Sequence, residues 1–211
     1  MNEMLAEISQ MALLEVIAVL SSLIYVVLAA KGQLLCWPFA ILASAIYCYI
    51  FFDVRLLMDS LLQVYYVLIA VYGWMNWQQH KNNNSALQIQ SLPLRLFIVH
   101  GCILITLSLA IAFILASNTD ASYPYLDTLT TVFSFYATYL IATRVLENWL
   151  YWIVIDAVSI YLYINKSLYL TAFLFVCYTL IAVYGYFSWR KQKTMIQPTH
   201  SNTQPINGEI N

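Results

Sequence analysis

Seven apolar runs dominate this chain of 211 residues and restrict what it can fold into. Each run approaches the roughly 20 residues that an α-helix needs to cross a bilayer. Only 9% of the residues are charged, against about 25% in a soluble domain. The sequence therefore predicts an all-α membrane protein with seven transmembrane helices, in the ranges 12–30, 35–52, 57–77, 95–116, 124–143, 149–164 and 168–188.

The positions of the lysines and arginines predict how these helices are oriented. Cytoplasmic loops of membrane proteins carry an excess of basic residues. If the C-terminus is cytoplasmic, alternation of the seven helices places every basic residue except Arg55 and Lys166 on the cytoplasmic side. We therefore expect an N-outside, C-inside orientation, with a flexible cytoplasmic tail at 189–211.

An internal repeat predicts how the helices are grouped. A shift of 112 residues places 37–78 on 149–190 without a gap, and the hexapeptide LIAVYG occurs at both Leu68–Gly73 and Leu180–Gly185. Repeats of three helices separated by one linker helix run parallel, related by an axis along the membrane normal. We therefore expect residues 1–211 to form one transmembrane domain, made of a first three-helix bundle, a linker helix and a second bundle, at 12–77, 95–116 and 124–188.

The stretch Asn148–Ser159 carries an unusual set of side chains for a membrane helix. Trp149, Trp152 and Asp156 follow at steps of three and four, which places them on one helix face. A carboxylate at membrane depth costs about 2.5–3.5 kcal/mol, so it should face protein or water. Two indoles beside it offer flat faces to an aromatic or cationic ligand.

The first half carries a matching polar face, and parallel repeats place a binding site at their interface. Asp59, Gln63 and Tyr66 lie on one stripe at i, i+4 and i+7. Two structural alternatives stay open at this point. Asp156 could serve as a hydrogen-bond partner of a tyrosine or of Ser44, and Gln63 could simply join two helices.

Other conspicuous residues have expected structural roles. Trp37, Trp77 and Trp189 fit anchors at the membrane interface, where tryptophan is enriched. Gly73 and Gly185 should permit close contact between helices.

Motifs of other protein classes are absent from the sequence. It has no Walker A motif, no GxGxxG, no HExxH and no paired Cys/His set, and its four cysteines are scattered through apolar runs. We expect no catalytic residue, metal, cofactor or nucleic-acid partner. A membrane enzyme or receptor remains an alternative class, and it would need His100, the one histidine within the predicted spans.

The runs Leu57–Trp77 and Glu147–Ser159, with their YGW and NWxxW motifs, resemble the Pnu-type bacterial vitamin transporters. The resemblance covers about residues 12–190. It implies a SWEET-like three-plus-one-plus-three fold and facilitated diffusion of an unphosphorylated vitamin across the inner membrane. It also implies a cytoplasmic vitamin kinase that traps the product downstream. Members of this family carry nicotinamide riboside or thiamine.

The chain departs from the family's nicotinamide riboside pattern, NWxxWxxxN, by having Asp156 at the asparagine position. An ionised aspartate only accepts hydrogen bonds and adds a negative charge. Thiamine offers an exocyclic amino group and a fixed positive charge, whereas nicotinamide riboside is also cationic. The aspartate therefore favours thiamine as substrate, with nicotinamide riboside as the alternative and a sugar or another small solute as a further one.

Each candidate binding residue has an expected role. The rings of Trp149, Trp152 and Tyr178 would stack on the substrate, and Asp156 and Gln63 would contact its polar edges. The expected partners are a vitamin, membrane lipid and further copies of the chain in a homo-oligomer. The pocket would be closed by Asp59, Asn148 and Tyr66.

Overall fold

The computed structural model describes residues 2–53, 55, 57–82, 88–118, 123–165 and 169–196, and the side chains of 2–12, 57–59, 80–82, 170 and 196 are left out of the description. Within these ranges the chain forms seven α-helices and no β-strand. The all-α prediction with seven helices is confirmed. The helices are α1 (Asn2–Ala30), α2 (Cys36–Asp53), α3 (Leu57–Asn82), α4 (Leu94–Asn118), α5 (Pro124–Ala142), α6 (Asn148–Asn165) and α7 (Tyr169–Ile196).

Helix length and composition support a multi-pass membrane protein. In the described part of the chain, four stretches are long and apolar enough to cross a membrane, and they belong to α1, α2, α4 and α7. The helices α3, α5 and α6 are more polar, since they carry Gln63, a series of threonines and Asp156. These side chains face the interior of the bundle, as the site described below shows. The four stretches are Leu13–Ala30, Cys36–Asp53, Leu94–Asn118 and Thr171–Met195.

The helix contacts follow the internal repeat. In the first half α2 packs against both α1 and α3, and in the second half α6 packs against both α5 and α7. Two contacts join the halves, α1 with α7 and α3 with α5. The 112-residue shift of the repeat places α1 on α5 and α3 on α7. The contact of α1 with α7 is therefore the repeat equivalent of the contact of α5 with α3. Where α3 meets α5, the Tyr65 hydroxyl donates a hydrogen bond to the Phe135 carbonyl at 2.9 Å.

The helix α4 is attached to the second half. It packs against α5, and the His100 Nδ1 atom lies 2.6 Å from the Tyr136 hydroxyl of that helix. The chain just before α4 is also tied to the α5–α6 loop, since the Gln90 amide donates to the Arg144 carbonyl at 3.0 Å. The Glu147 carboxylate accepts a hydrogen bond from the Leu92 amide at 2.8 Å. His100 is therefore a packed histidine beside a tyrosine.

Two glycines allow the close approach that the sequence predicted. A Cβ atom on Gly73 would overlap ring carbons of Trp37, and one on Gly185 would lie 2.7 Å from Trp149 Cε2. Each glycine ends a copy of LIAVYG, and each tryptophan lies near the start of the preceding helix in the same half. The prediction of close helix contact at both glycines is confirmed.

The prediction that Trp37, Trp77 and Trp189 lie at the membrane interface is wrong. Their side chains are only 1%, 4% and 0% exposed, and all three belong to one buried core. The physical reason is that the halves meet here, so the rings pack on each other. The predicted start of the tail at residue 189 also differs, because α7 continues to Ile196. Residues 197–211 lie outside the described part of the chain.

We predict that Gly73→Ala lowers the stability of the protein by about 1–3 kcal/mol, because the added methyl group forces the Trp37 ring out of its place. Thermal unfolding in detergent measures the effect. The matched control is Gly101→Ala in α4, where no atom lies within 4 Å of the added Cβ. Because alanine favours helix over glycine, the control should keep or raise the melting temperature. Equal losses in both variants would contradict this account.

Candidate functional site

A cavity of about 490 Å³ lies between the two halves of the protein. Its walls come from α1, α2 and α3 on one side and from α5, α6 and α7 on the other, whereas α4 contributes no residue to it. The volume falls in the range of roughly 300–1,000 Å³ that small-molecule sites occupy. The cavity is therefore the candidate site for a small solute.

The lining residues are related in pairs by the repeat. Trp37 and Trp149 both line the cavity, as do Tyr66 and Tyr178, and each pair is separated by 112 residues. Phe51 also lines it, fourteen residues beyond Trp37 on α2. At the α-helical rise this corresponds to roughly 21 Å along the helix axis. Residues at equivalent positions of the two halves thus line the same cavity.

Six of the eight candidate residues line this cavity: Gln63, Tyr66, Trp149, Trp152, Asp156 and Tyr178. The other two do not join them. Asn148 is 0% exposed and is not among the lining residues, and its Nδ2 donates to the Val145 carbonyl at 2.6 Å at the start of α6. The prediction for Asp59 falls on a side chain outside the described residues, although its backbone belongs to α3.

Asp156 is the charged residue of the cavity wall. Its side chain is 3% exposed, and it is the only Asp, Glu, Lys or Arg among the described lining residues. Neither a tyrosine hydroxyl nor Ser44 forms a hydrogen bond with its carboxylate in the described part of the chain. Gln63 likewise forms no hydrogen bond with another described side chain. The structural alternatives for both residues therefore find no support, and both polar groups are left available for a ligand.

The two halves present different chemistry at equivalent positions. Asp156 stands where the first half has Ser44, and Trp152 stands where the first half has Ala40. In the opposite direction, Gln63 corresponds to a phenylalanine, Phe175. Equivalent helices of the two halves therefore surround the cavity, but they line it with side chains of different polarity. Such a lining suits an asymmetric solute.

Aromatic rings form a large part of the remaining wall. They include Phe175, whose ring stacks on Tyr163 at 5.2 Å between centroids and meets Tyr178 edge-on at 5.8 Å. Aromatic faces around one carboxylate can hold a cationic ring from several sides. The aromatic lining residues are Tyr25, Trp37, Tyr47, Phe51, Tyr66, Trp149, Trp152, Tyr163, Phe175 and Tyr178.

The helix α5 forms a further wall, which we did not predict from the sequence. Thr130, Ser134 and Thr138 line the cavity at steps of four residues. The Thr138 hydroxyl donates to the Ser134 carbonyl within the helix at 2.7 Å, so its oxygen remains available only as an acceptor. The spacing of these three hydroxyl residues could have revealed this wall, because residues four positions apart lie on the same face of a helix.

Two repeated halves around a cavity rich in aromatic rings are typical of a membrane transporter for a small solute. Comparison with known proteins agrees with this class and makes it more specific. A family model described as "Nicotinamide mononucleotide transporter" matches residues 12–191. The chain belongs to this family, so it is a transporter and not an enzyme. The resemblance to Pnu-type transporters is thereby confirmed.

Curated relatives carry a consistent name. The chain is 23% identical to "Nicotinamide riboside transporter PnuC" of Escherichia coli (strain K12) over 201 residues, covering 83% of this chain and 84% of that protein. It is 27% identical to the protein of the same name from Haemophilus influenzae, covering 84% of this chain and 79% of that one. For the Neisseria mucosa protein the identity is 24%, with coverage of 83% and 71%.

A solved structure has the same fold. "Crystal structure of the Vitamin B3 transporter PnuC" matches with a TM-score of 0.66 and 21% identity. The match covers 87% of this chain and 83% of that one. The fold is thus shared over most of both chains.

Proposed function

We propose that the protein is an inner-membrane uptake transporter for nicotinamide riboside, the cationic nucleoside of vitamin B3. The observation that carries a cationic substrate is the carboxylate of Asp156, the one charged group among the described residues that line this cavity rich in aromatic rings. The names of the curated relatives then point to nicotinamide riboside among such cations. They favour the alternative of our sequence analysis, nicotinamide riboside, over thiamine, which the aspartate alone had favoured.

Charge complementarity supports a cationic substrate. The nicotinamide ring of the riboside carries a positive charge, which the Asp156 carboxylate would balance within the cavity. Trp152 lies one helical turn before Asp156 and lines the same wall, so its indole face can lie against the charged ring. A desolvated contact of this kind contributes about 2 kcal/mol. We assign Trp152 and Asp156 to the nicotinamide end, and Gln63 with Tyr66 to the polar groups opposite.

The same charges disfavour a phosphorylated substrate, although the family description names the mononucleotide. A phosphate would bring about two negative charges into the cavity. No lysine or arginine lines the cavity among the described residues, and Asp156 would repel the phosphate. An unphosphorylated nucleoside therefore fits, and phosphorylation by a cytoplasmic kinase would prevent its return.

The proposed architecture is two parallel three-helix bundles, α1–α3 and α5–α7, with α4 as linker and the C-terminus inside the cell. The repeat-equivalent contacts of α1 with α7 and of α3 with α5 support this grouping. The distribution of basic residues supports the orientation. Transport would proceed by rocking of the bundles about the cavity, as facilitated diffusion. We also propose that the protein assembles as a homo-oligomer in the membrane.

We predict that Asp156→Asn weakens binding of nicotinamide riboside by tenfold or more, because a charge-assisted contact contributes about 1.5–3 kcal/mol. The reduced, uncharged form of the riboside has nearly the same shape and should lose much less. Calorimetric titration of both forms into purified protein measures the difference. Ser44→Asn at the repeat-equivalent position is the matched control, since it changes shape without removing charge. An equal loss for both forms would refute the assigned role of Asp156.

We further predict the order of competition in uptake. Excess unlabelled nicotinamide riboside should abolish uptake of the labelled riboside by cells expressing the protein, whereas nicotinamide mononucleotide at the same excess should leave it nearly unchanged. Thiamine is the second competitor, because the Asp156 carboxylate can accept a hydrogen bond from its amino group. Stronger competition by thiamine than by the riboside would reverse the proposed substrate. Effective competition by the mononucleotide would contradict the charge argument.

A further inference from the structure

Four tryptophans form a continuous row at the end of the cavity where α1, α3, α5 and α7 finish. The ring centroids of Trp37 and Trp77 are 5.2 Å apart, those of Trp77 and Trp189 are 6.0 Å apart, and those of Trp189 and Trp149 are 5.5 Å apart. The outer members, Trp37 and Trp149, line the cavity. We call this set the four-tryptophan row, and it closes one end of the cavity.

The two central members link the halves by reciprocal hydrogen bonds. The Trp77 indole N–H on α3 donates to the Ala142 carbonyl at the end of α5, at 3.1 Å. The Trp189 indole N–H on α7 donates to the Ala29 carbonyl near the end of α1, at 2.9 Å. The third helix of each half is thus joined to the first helix of the other half. We call these two bonds the tryptophan latches.

Arg144 joins the halves at the same end. Its Nη2 donates to the Gly32 carbonyl at 2.7 Å, and its Cζ atom lies 4.4 Å from the centroid of the Trp77 ring. Gly32 is the repeat equivalent of Arg144, and both have left-handed backbones, with φ of 70° and 55°. The guanidinium therefore reaches across the axis that relates the halves and lies on the ring of one latch.

The outer members of the row differ from the central ones. The Nε1 atoms of Trp37 and Trp149 are buried and have no hydrogen-bond partner among the described residues. A buried donor without a partner is unfavourable, and it gains one when water enters. Closing this end therefore forms two latches but leaves two donors unsatisfied. Opposing contributions of this kind keep two conformations close in free energy, as a gate requires.

We propose that Trp77, Trp189 and Arg144 form the gate of the transporter at this end, and that the substrate leaves only after both tryptophan latches open. The inference rests on the proposed transport function, because a gate has meaning only for a solute that crosses. Under the proposed orientation this is the cytoplasmic gate. Separation of the halves at this end would break both latches together with the Arg144 contacts, and would open the cavity floor between Trp37 and Trp149.

Cys36 provides a built-in reporter of the gate. Its side chain is 0% exposed and belongs to the same buried core as Trp37 and Trp189. We would replace the other cysteines by serine and follow the reaction of Cys36 with a membrane-impermeant maleimide in inside-out and right-side-out vesicles. The replaced residues are Cys48, Cys102 and Cys177.

The test variant is Trp77→Phe with Trp189→Phe, which removes both indole donors and keeps aromatic rings in the row. Loss of one neutral hydrogen bond shifts an equilibrium by about fivefold. We therefore expect the variant to react about tenfold faster or more, and only from the side where α7 ends. The matched control is Trp74→Phe on α3, whose ring is 37% exposed and outside the row. A rate equal to that of the control, or faster reaction from the opposite side, would overturn the gate.

A second variant covers the case in which the double variant does not fold. Arg144→Gly places at this position the residue that stands at the equivalent position of the first half, Gly32. Glycine adopts the left-handed backbone of residue 144 without strain. It should also speed the Cys36 reaction, by about fivefold, and an unchanged rate would contradict the role of Arg144.

The gate and the proposed function can fail separately. Faster labelling in a protein that does not transport nicotinamide riboside would support the gate and refute the substrate. Unchanged labelling in a protein that transports it would refute the gate alone.

Discussion

The contact of a tryptophan ring with a glycine in each half is the constraint on which the rest of the structure depends. Trp37 lies against Gly73, and Trp149 lies against Gly185, with no space for a methyl group. Because each tryptophan lies near the start of the second helix and each glycine on the third, the contact fixes how these helices cross. It also places both rings at the floor of the cavity. Packing within each half thus shapes the site between the halves.

Much of this arrangement could be predicted from the sequence, because the two copies of LIAVYG reveal the repeat. The repeat predicts a grouping of the helices into two halves, and parallel repeats place a binding site between them. Gln63, Tyr66, Asp156 and Tyr178 followed from that reasoning, and the structure brings all four to one cavity. Helical spacing was sufficient here because polar side chains in an apolar helix must face protein or water.

Other features could not be predicted, since they depend on contacts between the halves. Tryptophan at the end of an apolar run is typical of a membrane interface, and nothing local distinguishes that role from burial of Trp77 and Trp189 against the other half. Asn148 directly precedes Trp149, which lines the cavity, yet the side-chain amide of Asn148 donates to the Val145 carbonyl of the preceding loop. The names of the curated relatives favour nicotinamide riboside over thiamine. Asp156 alone could not make that choice, because both vitamins are cationic and both satisfy the charge of one aspartate.

The pairing of Arg144 with Gly32 also bears on how such a protein can have arisen. Two identical three-helix chains related by a twofold axis would have to place the same residue at both positions. Two guanidinium groups at the axis would repel each other, and two glycines would leave the halves without this link. Joining the copies in one polypeptide removes that restriction, so a single arginine can occupy a place that symmetry would otherwise forbid. Fusion of duplicated genes therefore offers chemistry at the axis that a homodimer cannot have.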